Sequence, residues 1–263
     1  MHADRARRFT ALVGVSCVLA LPASAPAQVG VPQYSRGGAV LLSISAPLGA
    51  PTSNGTITSA ADGTTGQFIS IGVGAVIVGG GTWFARSIGP APCSPCDRAG
   101  VPVFDRGTIR PVQGSWDVAT DLGALGLIGG TWFDMARRDQ GTAGLRASLE
   151  SVVWSTAVTQ VLKVTVRRIR PYMYADGSEQ YAQNPNSRQS FPSGHTSAAF
   201  ALATSYFLVM DGVYDQRPYW IFGAAAFVGV GRVLAGKHWI TDVLAGAAIG
   251  TATALVVNEV RFN

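Results

Sequence analysis

Six apolar segments constrain the fold of this 263-residue chain more than any other feature. They lie near 68–86, 115–133, 149–166, 194–210, 218–235 and 240–257, with polar loops between them. None carries an alternating strand pattern of useful length, and apolar windows this long argue for helices. The expected architecture is all-α, with six helices in one domain over residues 68–263. Only 13% of the residues are charged and 32 are glycine, against about 25% charged in typical soluble domains. Sparse charge and many small residues suit helices that approach closely in a bilayer. They suit a compact soluble bundle as well.

The formal net charge is +5, carried mostly by arginine. No Lys/Arg run of nucleic-acid type occurs, so no nucleic-acid partner is expected. A basic site in a chain with little other charge points instead to a small anionic substrate or a phosphorylated lipid head group. At the N-terminus, Arg5, Arg7 and Arg8 precede an apolar stretch at 10–21 and then Ala25-Pro26-Ala27. This is the pattern of a secretory signal over residues 1–27, with cleavage after Ala27. Residues 28–67 are rich in Gly, Ser, Thr and Pro and are expected to form a loosely structured extension. Cys93 and Cys96 then remain, in the sequence CSPC. In an exported chain such a pair reads as a local disulfide stapling a Pro-rich loop.

Several segments reach the ~18–20 residues that a bilayer crossing needs. A cleaved signal leaves residue 28 outside, and three crossings after it would put the next loop in the cytoplasm. A site facing outward then requires that one early segment does not cross, or that the mature protein is soluble. The second segment is the candidate, because it contains Asp117 and Asp121. A small internal echo, Gly80-Gly81-Thr82-Trp83-Phe84 and Gly129-Gly130-Thr131-Trp132-Phe133, reads as a shared interfacial aromatic signal at a segment end.

The chemistry concentrates in three stretches, at 163–171, 192–195 and 232–242. The chain has only two lysines, Lys163 and Lys237, and three histidines, of which His195 and His238 fall in these stretches. Lys163 and Arg170, seven residues apart, are expected on one helical face that Pro171 terminates. They would clamp phosphate oxygens, Arg170 by a bidentate pair, or else anchor a helix at a membrane interface. Phe191-Pro192-Ser193-Gly194-His195 reads as a helix start whose backbone N–H groups can bind an anion. His195 there is either a capping histidine or a proton donor to a leaving group. Arg232 is expected to close the fifth helix and His238 to open the sixth. Asp242, four residues on, would share its face. A carboxylate on one imidazole nitrogen would fix the tautomer and leave the other free to attack. An isolated pair of this kind could equally be a surface contact. No Asp/Glu/His cluster has metal-ligand spacing.

Read together, K-x6-R-P, P-S-G-H and R-x5-H-x3-D in this order resemble the type 2 phosphatidic acid phosphatase / vanadium haloperoxidase superfamily, over residues 115–257. The third motif usually opens Ser-Arg, and here it is Gly231-Arg232. The resemblance implies a six-helix core of the lipid phosphatase and haloperoxidase type. It implies a metal-independent phosphatase, with no cofactor, acting on a phosphomonoester or a lipid (pyro)phosphate. His238 would be the nucleophile, Asp242 its orienter, and His195 the general acid and later the base. Lys163, Arg170, Ser193, Gly194 and Arg232 would bind the phosphoryl oxygens. The cell envelope is the implied location, with a membrane partner. A vanadate-dependent haloperoxidase and a soluble periplasmic acid phosphatase are the alternatives of the same fold.

Overall fold

The computed structural model describes residues 63–137, 141–210 and 216–262. The signal sequence and nearly all of the 28–67 extension lie outside the described residues. Among the described residues there are six long helices and one short one: α1 (Thr64–Ala85), α2 (Val103–Arg106), α3 (Gly114–Ala136), α4 (Gly141–Val166), α5 (Gly194–Val209), α6 (Arg217–Leu234) and α7 (Ile240–Phe262). Three 3-10 turns fill the loop between α4 and α5. The chain is all-α, and the long helices coincide with the six apolar segments. Helix α1 takes in residues 64–67, the end of the stretch read as extension.

Helix α5 is the centre. It packs against α7, α4, α6 and α3, while α1 lies on α4. Leu202, Ala203, Tyr206 and Ser205 bury different sides of the same helix. Small residues allow this crowding. A Cβ on Gly246 of α7 would come within 2.5 Å of the Ser193 carbonyl oxygen, and one on Gly250 within 2.1 Å of the Ser197 carbonyl oxygen. The starts of α5 and α7 are therefore pressed backbone to backbone, a small-xxx-small contact.

The long helices alternate in direction, which gives the bundle two distinct ends. At one, Glu150 of α4 accepts from Gln67 and Ser70 of α1 at 3.0 and 2.6 Å, and from Arg261 of α7 at 2.8 and 2.6 Å. Tyr206 of α5 donates to Asp134 of α3 at this same end. At the other end, Gln113 N–H reaches the Ala235 carbonyl at 3.1 Å, and all three motifs gather.

The bundle's outer face is apolar. Val76, Leu122, Leu125, Trp220, Val256 and Val260 are exposed on α1, α3, α6 and α7. Among the described residues, two helices, α1 and α7, are long and apolar enough to cross a membrane by length and composition. The echoed pentapeptide ends α1 at the motif end and α3 at the opposite end. It thus presents exposed Trp83 and Phe133 at the two rims, where interfacial aromatics belong.

Candidate active site

The first motif departs from the expected geometry. Helix α4 stops at Val166, because Arg167 turns left-handed at φ 52° and its N–H closes the last turn on the Lys163 carbonyl at 3.1 Å. Pro171 does not end this helix. It opens a 3-10 turn five residues later, with Arg170 extended before it. Lys163 and Arg170 therefore do not share a helical face. The chain doubles back, and Arg170 enters the site from a loop.

Once there, Arg170 is 8% exposed. It donates to the carbonyls of Asn186, Lys237 and Gln189 at 2.7, 3.0 and 3.4 Å. A guanidinium has five N–H donors, so two remain for a ligand while three tie the loops of the second and third motifs together. Lys163 lies beside the second motif: a Cβ on Gly194 would sit 3.5 Å from its Nζ.

The second motif starts α5 as expected, with Ser193 as the N-cap residue. Its N–H donates to the Asp242 backbone carbonyl at 3.0 Å, and its hydroxyl accepts from Thr196 at 2.8 Å. The Ser193 hydroxyl hydrogen is left to donate, alongside the first backbone N–H groups of α5, which have no intrahelical acceptor.

The third motif also differs. His238 does not open α7 but lies in the preceding turn, two residues before Ile240. Gly236, at φ +73°, makes that turn, and a Cβ there would meet the Arg110 carbonyl at 2.9 Å. His238 Nδ1 is 2.7 Å from the Ser190 carbonyl oxygen and 3.5 Å from Asp242 Oδ2. A carbonyl only accepts, so Nδ1 carries the proton and Nε2 keeps its lone pair. The backbone of Ser190, rather than Asp242, sets the tautomer.

Asp242 has another task. Its Oδ2 accepts from the Trp239 N–H at 3.0 Å and from the Ser190 hydroxyl at 2.5 Å. It thus reaches back over the first turn of α7, as the acid of a capping box does. It thereby fixes both chain segments that hold His238. Behind it, Arg168 bonds Asp242 Oδ1 at 2.5 Å and Asp105 Oδ2 at 2.7 Å. Asp105, fully buried in α2, also accepts from the Thr241 hydroxyl at 2.7 Å. Burial, with the nearby charge of Arg170, holds the His238 imidazole well below its usual value near 6.5, against the opposing pull of Asp242. The ring is therefore neutral, the form a nucleophile requires.

Arg232 ends α6 buried, facing α3. Its NH1 lies 2.9 Å from Asp117 Oδ1, 2.9 Å from Asp121 Oδ1 and 3.1 Å from the Thr120 hydroxyl. Its Nε has no partner among the described residues, which suits an oxyanion. Gly231 is explained by the same packing: a Cβ there would fall 2.1 Å from Thr120 Cγ2. Thr120 occupies the space beside Arg232 and supplies a hydroxyl to it. His195 Nε2 is 3.1 Å from Asp121 Oδ1, and Lys237 Nζ is 3.1 Å from Asp117 Oδ2.

All eight motif residues thus meet at one end of the bundle. Sequence reasoning missed Asp105, Arg168, Ser190, Thr120 and the pairing of Asp117 and Asp121 with Arg232, Lys237 and His195. Asp117 and Asp121 were visible as isolated carboxylates in an apolar segment, a signal read as topology rather than chemistry. Cys93 and Cys96 are joined in a disulfide. The Cys96 N–H donates to the Met173 carbonyl at 2.8 Å, which braces the loop following Arg170.

The PAP2 superfamily model matches residues 144–263, which contain all three motifs. Over this stretch the chain is similar to the PAP2 superfamily. A lipid A 1-phosphatase of Porphyromonas gingivalis is 43% identical over 65 residues, 23% of this chain and 14% of that protein. Phosphatidylglycerophosphatase B of Bacillus subtilis is 35% identical over 100 residues, 35% of this chain and 46% of that one. The crystal structure of Aquifex aeolicus LpxE is 22% identical. It covers 62% of this chain and 99% of the other, with a TM-score of 0.47. The chain spans less than half the length of the curated relatives it matches.

Proposed function

We propose that this chain is a lipid phosphate phosphatase that works through a phosphohistidine at His238. The observation that carries the reading is the Nδ1–H bond to the Ser190 carbonyl. It leaves a neutral, fixed Nε2 beside the charges of Arg170 and Lys163. Nε2 attacks phosphorus, and the bond from phosphorus to the leaving oxygen breaks with its electron pair on that oxygen. His195 gives that oxygen a proton. Neutral His195 then takes a proton from water, which attacks phosphorus and returns the P–N electron pair to His238. The cations and the α5 N-terminus stabilise charge on the transferring group throughout. The accumulated positive charge needs no further electrophile.

A lipid substrate is favoured by a pocket of about 310 Å³ opening beside His195, lined by Ala124, Leu125, Leu127, Ile128 and Ala198. An acyl chain continuing from the phosphate fits that lining. The relatives' names, lipid A 1-phosphatase and phosphatidylglycerophosphatase, support the same class. The exposed apolar perimeter favours a bundle seated in a bilayer. The Cys93–Cys96 disulfide lies at the motif end, so an oxidising compartment on that side is favoured, with the site facing outward.

The test is fractionation of the full chain, followed by assay on phosphatidic acid, phosphatidylglycerophosphate and a water-soluble phosphate. Brief incubation with labelled substrate and an acid-free quench should leave acid-labile phosphate on the wild type and none on His238→Ala. Turnover by His238→Ala at the wild-type rate defeats the proposal.

A further inference from the structure

Asp121 stands where nothing in the three motifs places a carboxylate. It lies on α3, half exposed, 3.1 Å from His195 Nε2 and 2.9 Å from Arg232 NH1. It also lines the apolar pocket beside His195. It therefore occupies the boundary between the phosphate-binding cations and the space where the leaving group must sit.

The charges around His195 explain why a carboxylate there matters. Burial, and the fields of Arg232 from α6, Lys163 from α4 and Arg170 from the loop after α4, act against a proton on the ring, and Asp121 is the carboxylate that opposes them. Asp117, one turn earlier on α3, is committed to Arg232 and Lys237. A proton donor set among three cations needs a local negative charge to keep its proton and a fixed partner to aim its ring.

We infer that Asp121 is a positioning residue for His195, holding one ring nitrogen so that the other delivers the proton to the leaving oxygen. This rests on the phosphohistidine reading above. In the first step the His195 N–H bond breaks, its proton goes to the leaving oxygen, and the ring is left neutral. Asp121 keeps its negative charge and exchanges no proton.

The consequence is a dependence on the leaving group. An alkyl or glyceryl leaving oxygen needs the proton, whereas 4-nitrophenolate leaves without it. The experiment compares the wild type with Asp121→Asn, measuring kcat/KM for dioctanoyl phosphatidic acid and for 4-nitrophenyl phosphate. Asn keeps the shape and an acceptor oxygen but not the charge. We expect kcat/KM for the lipid to fall at least about ten-fold. For the aryl phosphate it should change by less than about three-fold, the loss expected when no proton is required. Equal losses on both substrates, or no loss on either, overturn the inference, because a purely structural or phosphate-binding carboxylate would not distinguish them. Phosphoenzyme trapping runs in parallel: a labelled wild type with equal losses sinks only the role of Asp121, whereas an unlabelled wild type sinks this inference together with the phosphohistidine reading.

Discussion

The two histidines of the site are held in opposite ways. His238 is 1% exposed, and its carboxylate neighbour Asp242 is fully buried, with Arg168, Asp105, Ser190 and Thr241 behind it. His195 is 41% exposed and its partner Asp121 53% exposed. A nucleophile gains from being immobile, since one aimed lone pair must meet one phosphorus atom. The proton donor must follow a leaving oxygen whose position changes as the bond breaks, and it must face an entering substrate. Under the proposed phosphohistidine mechanism, the contrast means that rigidity is applied to one half of the reaction only.

That contrast can be broken from either side. The largest effect is expected for His238→Ala, a loss of at least about 10⁴-fold in turnover of any substrate, read by phosphate release, because no other group replaces the attacking nitrogen. Asp105→Ala, on the braced side, should destabilise by about 3 kcal/mol by leaving a largely buried guanidinium short of a partner. A thermal melt would show it, and activity should be lost in parallel with the fold. His195→Ala, on the open side, should cost about 10²–10³-fold in kcat/KM on lipid with an unchanged melting temperature. A drop in melting temperature comparable to that of Asp105→Ala would erase the distinction.

Two smaller effects sharpen it. Gly231→Ser should cost about 1–3 kcal/mol by overpacking Thr120 against Arg232, seen as a shifted denaturation midpoint. The other concerns pH. The folded pKa of His238 is depressed, so the unfolded chain binds a proton that the folded chain refuses. Stability from this group is complete above the unfolded value near 6.5. It is lost as the pH falls below it, at up to about 1.4 kcal/mol per unit. His238→Asn should flatten that limb of the stability profile. A wild type whose stability is level between pH 6.5 and 5 contradicts the burial argument.

The amino-acid pattern shows the helices well, because six apolar windows of that length leave few other structures. It also points to the side chains that gather at one end of the bundle, since the spacing of the lysine, arginines and histidines in three stretches is distinctive. It does not show how the stretches meet. Residue spacing suggested Lys163 and Arg170 on one face, but a left-handed Arg167, with no glycine to announce it, turns the chain instead. His238 was expected to begin a helix, yet Gly236 places it in a turn where the Ser190 carbonyl can reach it. Asp105 lies in a one-turn helix with no periodicity, over 60 residues from Arg168. Its place in the site is a property of tertiary packing, which no local pattern encodes.

The alternating helices have one more consequence, and it is a matter of parity. Because the six long helices are even in number, Thr64 and Phe262 emerge from the same end of the bundle, opposite the motifs. Were the bundle to cross a bilayer with the site outward, both would lie on the inner face. A leader cleaved after Ala27 would instead deliver residue 28 to the outer face, and 28–63 contains no apolar run long enough to return. An outward site in a spanning bundle and a cleaved leader are thus mutually exclusive. A fluorescent reporter fused after Phe262, which glows only on the inner face, decides between them in a single transformation.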